Sequence, residues 1–184
     1  MGYLVNLVVE GRGALIVGGG EIAARKVEDL LAAKARVTLV APRIGEKIEA
    51  VADRVTVHRR PYEARDIGDS FIVIAATDDE ELNARVSQDC VARNVLVNVV
   101  DRPAHCTFTV PATVHRGDLT IAIATNGRCP AFASILREEL EGRYGVEYGP
   151  LVERFAAVRN RMIADRAAGP AIRATIAAMY REMS

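Results

Sequence analysis

Apolar residues follow two rhythms along the first 110 positions. Short uninterrupted runs at Ala14–Val17, Val37–Val40, Val55–Val57, Phe71–Ala76 and Val95–Val100 predict strands buried on both faces. Between them apolar residues recur at helical spacing. Ile22, Val27, Leu30 and Leu31 do so within Glu21–Ala33, and Leu82, Val86 and Cys90 in a helix begun by Asp78 and Asp79. Phe108–Val110 predicts one more strand. Strands alternating with helices require right-handed crossovers, which gives an α/β fold with a doubly wound parallel sheet.

The pattern changes after Pro111. Thr113–Arg116 and Leu119–Ala124 flank Gly117-Asp118 and predict a hairpin turning on that pair. Pro130–Leu140 predicts a helix with Phe132, Ile135, Leu136 and Leu140 inside. A loop with Gly142, Gly145, Gly149 and Pro150 leads to a helix carrying Leu151, Phe155, Val158 and Met162 on one face. Gly169-Pro170 breaks it, and Ile172, Ile176 and Met179 line a last helix. So small a tail buries its own apolar stripes poorly. The expected division is a sheet domain over residues 1–112, a small α+β dimerisation region over 113–148 and a helical C-terminal region over 149–184.

The first strand runs into Gly18-Gly19-Gly20-Glu21-Ile22-Ala23, which fits G-x-G-x-x-A between a strand and a helix. In a Rossmann-like unit Gly18 permits the tight turn, Gly20 lets backbone approach a pyrophosphate, and Ala23 allows close helix–sheet packing. Free N–H groups at the helix start would hold the phosphates. The second strand ends Val40-Ala41-Pro42-Arg43, without the acid that usually meets the ribose hydroxyls. Arg43 is left to neutralise a 2′-phosphate, favouring NADP, or to lie along the adenine or the diphosphate. Thr77 and Asp78 end the fourth strand, where they contact the nucleotide or cap the next helix.

Asp101 follows Val95–Val100 at the carboxyl end of the sheet. A carboxylate there can take or deliver a proton, or serve as a turn residue ahead of Pro103. Asn98 comes from the same strand end. Asp101, His105 and Cys106 crowd one loop without a recognised metal-ligand spacing, and no metal site is expected. Gly127-Arg128-Cys129-Pro130 precedes a helix and would offer N–H groups and a guanidinium to a carboxylate, or simply cap that helix.

Formal net charge is zero, which argues against a nucleic-acid binder that relies on a basic surface, though net charge leaves a local basic patch open. No apolar run reaches the ~18 residues of a membrane span, and Met1-Gly2-Tyr3-Leu4 lacks a signal peptide's basic start. A cytoplasmic protein without membrane contact is therefore expected. Three cysteines with no C-x-x-C spacing indicate neither disulfides nor structural zinc. Cys90, on the inner stripe of its helix, is expected in the core.

With these motifs in this order, Leu15–Lys26, Ala75–Asp79, Asn98–Pro103, Phe108–Pro111 and Gly127–Leu140, the chain resembles the precorrin-2 dehydrogenase family, the N-terminal module of siroheme synthases. The resemblance covers nearly the whole chain. It implies NAD-dependent oxidation of precorrin-2 to sirohydrochlorin, in some members followed by insertion of Fe2+ to give siroheme. It also implies a homodimer joined through the region after the sheet. NAD contacts then fall on Gly18, Gly19, Gly20, Glu21, Ile22, Pro42 and Arg43, with Thr77 and Asp78 beside them, and the catalytic aspartate on Asp101. Cys129 stands where some members carry a phosphorylated serine, so that control is not expected here. These residues hold no methyltransferase module, and the chain is not expected to make precorrin-2. A substrate with eight carboxylate arms needs cations and polar groups, for which Asn98, Arg102, His105, Arg116, Gly127 and Arg128 are the candidates. The competing reading is an NAD-sensing regulatory domain; such modules usually carry an acid where this chain has Pro42-Arg43.

Overall fold

Five parallel strands form one sheet in the order β3-β2-β1-β4-β5. They are β1 (Gly13–Val17), β2 (Arg36–Val40), β3 (Thr56–His58), β4 (Ile72–Ala75) and β5 (Leu96–Val99). The computed structural model describes residues 2–182, so Met1, Met183 and Ser184, at the ends of the expected divisions, lie outside the described residues. The helices of this unit are α1 (Glu21–Ala32), the short α2 (Glu46–Glu49) and α3 (Glu80–Ala92). The chain builds outward from β1 to β3, then returns to β4 on the other side of β1. That reversal opens a crevice at the carboxyl ends of β1 and β4. Register brings three strand ends level there, with Val17 beside Val40 on one flank and Ala75 on the other.

Continuous apolar runs suit this sheet because both of its faces are covered. Ile16, Val27, Leu39 and Ile48 belong to the core on the α1 side. Leu15, Val17, Tyr62, Ile67, Val86, Cys90 and Val97 fill the other side. Cys90 is fully buried as expected, and burial pushes its thiol up to about 11. Both long helices stop at a residue in the left-handed region, Lys34 after α1 and Asn94 after α3. α3 begins one step later than the acids suggest. Asp79 is its cap and accepts the Leu82 N–H at 3.0 Å, while Asp78 stays outside the helix.

The strand expected at Phe108–Val110 does not form. The chain leaves β5 through a 3₁₀ turn at Pro103–His105, and its backbone-to-backbone bonds to β5 are those of Thr107 and Phe108 donating to the Val97 carbonyl. Phe108 supplies a packing side chain against the core rather than a ladder.

The residues from Pro111 onward, with Gly2, make a second compact unit, and Tyr3–Val110 the first. β6 (Ala112–Arg116) and β7 (Leu119–Ile123) form the hairpin, turning on Gly117-Asp118 as the sequence implies. Three helices follow: α4 (Pro130–Arg143), α5 (Tyr148–Ala164) and α6 (Gly169–Arg181). α4 turns a different face inward from the one expected. Ala133 is buried and Leu136 and Leu140 are half-buried, whereas Phe132 and Ile135 are exposed at 51% and 60%. The stripe 133–136–140 is helical in period, and Phe132 and Ile135 fall one residue off it, on the neighbouring face. α6 has no fully buried side chain. No described helix is long and apolar enough to cross a membrane.

Candidate functional site

The turn after β1 is shaped by three glycines with three different duties. Gly18 sits at φ 129°, donates to the Val40 carbonyl at 3.0 Å, and passes so near β4 that a Cβ would lie 2.2 Å from the Ala76 carbonyl oxygen. Gly19 admits the segment following β2: a Cβ there would lie 2.0 Å from the Arg43 carbonyl oxygen, and its own carbonyl accepts the Gly45 N–H at 2.9 Å. Gly20 has an ordinary backbone, and a Cβ on it would meet nothing within 4 Å. The first intrahelical bond runs from Ala24 N–H to Gly20 O, and Gly20 has no side chain to cap the N–H groups of Glu21, Ile22 and Ala23. The turn therefore presents unpaired donors across open space, as an anion at a helix start requires.

That space is a cavity of about 940 Å³. Gly18, Gly19, Gly20, Pro42, Arg43, Thr77 and Asp78 all line it. Glu21 and Ile22 do not: the Glu21 carboxylate pairs with Lys47 at 2.5 Å, and Ile22 is half-buried in the first turn of α1. The Glu21 pair raises the Lys47 pKa. Thr77 is committed to the turn itself. Its hydroxyl donates to Asn83 Oδ1 at 2.8 Å, and Asn83 Nδ2 donates back to the Thr77 carbonyl at 2.8 Å. Asn83 is a residue that sequence reasoning missed. The inner stripe of α3 is Asn83, Val86, Ser87 and Cys90, and two polar residues on a buried stripe are the available signal.

Ser87, the other polar member of that stripe, donates to the His105 carbonyl at 2.7 Å and so fastens the loop after β5. Further ties hold the same loop. Cys106 Sγ accepts the Val99 N–H at 3.1 Å, Thr107 Oγ1 accepts the Val97 N–H at 2.8 Å, and Asn98 Nδ2 donates to the Phe108 carbonyl at 3.1 Å. Burial pushes the Cys106 thiol upward. On this braced loop Asp101 stands at φ 58°, exposed, with no hydrogen bond or ion pair to any described residue. Among non-glycine residues Asp and Asn tolerate that conformation best. Arg102 pairs with Glu80 at the start of α3, and the His105 ring is exposed.

In the second unit Arg116 is used by the fold. Its guanidinium donates to the carbonyls of Glu141 at 3.1 Å and Tyr144 at 2.8 Å, closing the end of α4. Gly127 sits at φ 74° in the turn before α4, where the Arg128 N–H donates to the Thr125 carbonyl at 3.0 Å. The Arg128 side chain is exposed and makes no described contact. Among the described residues no three His, Cys, Asp or Glu side chains gather into a group able to hold a metal ion.

The chain is similar to known proteins along both of its units. The family model "Putative NAD(P)-binding" matches residues 5–112, and "Sirohaem biosynthesis protein central" matches residues 116–143. A siroheme synthase of Ectopseudomonas mendocina is 39% identical over 154 residues, covering 84% of this chain and 33% of that protein. A siroheme synthase 1 of Klebsiella pneumoniae is 41% identical over 153 residues, covering 82% of this chain and 32% of that protein. The chain thus spans about a third of the length of these relatives. A solved structure named SirC, precorrin-2 dehydrogenase, superposes with a TM-score of 0.81 at 26% identity, covering 96% of this chain and 88% of that one.

Proposed function

Because the chain belongs to the NAD(P)-binding family matched by residues 5–112, we propose that it is a precorrin-2 dehydrogenase, oxidising precorrin-2 to sirohydrochlorin with NAD. One observation carries the reading. An open, donor-lined turn at Gly20 and an unpartnered carboxylate at Asp101 lie on the same carboxyl edge of one sheet. The nicotinamide supplies the acceptor for the hydride that leaves the tetrapyrrole.

The protein's own residues do the rest. The N–H groups from Gly20 to Ile22 hold the pyrophosphate, and Pro42 and Arg43 flank the adenosine half. Asp101 accepts the proton that must leave once the ring is oxidised, from a loop too firmly tied to drift. Arg128, whose guanidinium is free of described partners, is assigned to a substrate carboxylate, and Gly127 lets its loop present backbone beside it. Exposed Phe132 and Ile135 on α4 are assigned to the joining of two copies.

Asp101→Asn is the decisive variant, because asparagine keeps the left-handed backbone while losing the base. NAD reduction with precorrin-2 should fall about 10²–10⁴-fold, with NAD affinity unchanged. Wild-type turnover in the variant would refute the role, and a wild-type chain inert toward precorrin-2 and NAD would refute the function. Fe2+ offered afterwards as a substrate reads iron insertion separately in the same assay.

A further inference from the structure

We infer that Arg85 grips the adenine of the dinucleotide, with the Tyr62 ring as its fixed backing. The inference rests on the NAD reading above and names a contact within it. In a sheet that reverses between β1 and β4 the adenosine half lies toward β2, and the wall on that side is set by Pro42 and Arg43. Pro61, Tyr62, Leu82 and Arg85 line the same cavity.

Tyr62 is held in place from both ends. Its ring is packed into the core, 5% exposed, and its hydroxyl donates to Asp89 Oδ2 at 3.0 Å. Burial and that bond raise its pKa, so the phenol stays a donor. Arg85 and Asp89 are four residues apart on α3 and share one face of the helix. Their common partner is this one ring, since the Arg85 guanidinium lies over it at 5.9 Å from the centroid. The Arg85 side chain has no hydrogen bond or ion pair to any described residue. A planar cation on an aromatic ring, bordered by Pro61 and Leu82, suits a flat heterocycle with acceptor nitrogens better than a bare phosphate. The phosphates already have the Gly20 turn.

Calorimetric titration of the full chain with NAD, ADP-ribose, NADP and nicotinamide mononucleotide tests this. Arg85→Ala should bind NAD and ADP-ribose about 5- to 150-fold more weakly, the range of a lost base stack, and leave mononucleotide binding unchanged. Arg85→Lys keeps the charge without the plane and should remain weakened. In turnover the KM for NAD should rise with kcat preserved at saturation. Undiminished ADP-ribose binding by Arg85→Ala would overturn the inference alone. So would full rescue by lysine, or a loss confined to NADP, since either marks a phosphate contact. A wild-type chain that binds neither NAD nor ADP-ribose would overturn the dehydrogenase reading with it.

Discussion

Adding one methyl group to either of two neighbouring glycines should damage the protein in two different ways. In Gly19→Ala the new carbon starts 2.0 Å from the Arg43 carbonyl oxygen and 3.1 Å from the Ala41 Cβ. Ordinary contact begins at 3.4 Å, so the Arg43 peptide must retreat about 1.4 Å, and the Gly45-to-Gly19 hydrogen bond goes with it. Overpacking of this kind costs about 1–3 kcal/mol and the bond about 1 more. At roughly 2–4 °C per kcal/mol for a chain of this length, the melting temperature should fall by about 5–15 °C. In Gly20→Ala the backbone is already one that any residue adopts and the methyl meets no protein atom. Stability should change by less than about 1 kcal/mol, the difference between glycine and alanine at a helix cap. The methyl instead occupies the approach to the free N–H groups. Thermal melts with and without NAD read both effects. At a hundredfold excess over Kd, NAD should stabilise the wild type by about 2.7 kcal/mol, and Gly20→Ala should lose most of that gain. A Gly19→Ala protein melting with the wild type, or a Gly20→Ala protein with the full NAD-induced rise, would refute the assignment of these roles.

Two further outcomes are expected. The Asp66 carboxyl, only 5% accessible, is bound by Arg60 at 2.5 Å and by the Glu63 N–H at 2.8 Å, and the Arg60 hydrogen bond above all holds its pKa below the ordinary 3.8. A lowered folded value means stability that is present above that ordinary value and lost as pH falls through the folded one. Asp66→Asn should therefore melt below the wild type at pH 7, by about 1–3 kcal/mol, with the gap closing under acid; a gap constant from neutral to about pH 3 would contradict this. On α4, Phe132→Ser with Ile135→Ser should shift light scattering at micromolar concentration from dimer toward monomer, and an unchanged mass would remove these side chains from the interface.

The sheet was legible because strands buried on both faces must be written as apolar runs, and the turn after β1 because Gly18 takes a backbone conformation and a close approach that favour glycine. What stayed hidden has a common cause. A side chain's partner is set by tertiary neighbours, which periodicity does not encode. Arg116 reads as a free cation in the sequence, yet the carbonyls of Glu141 in α4 and Tyr144 just after it take its donors. Asn98 reads as a ligand at a strand end, and its amide holds the Phe108 carbonyl. Gly19 reads as the variable position of its motif, while the structure gives it the tightest approach of the three glycines. Phe132 and Ile135 read as core because α4 has two apolar faces, and sequence alone does not say which one the hairpin takes.

Asn83 and Ser87 leave the same side of α3 one turn apart, the first fastened to Thr77 after β4 and the second to His105 after β5. The helix thus acts as a second gauge between two loops that the β4–β5 pairing already joins, through the Val100 N–H donating to the Ala75 carbonyl at 3.0 Å. Both loops are hung on one rigid element, so a displacement of α3 would displace the Thr77 turn and the Asp101 loop together. Asn83→Ala or Ser87→Ala should free one loop from that common support and lower the melting temperature by about 2–12 °C, since both side chains are buried.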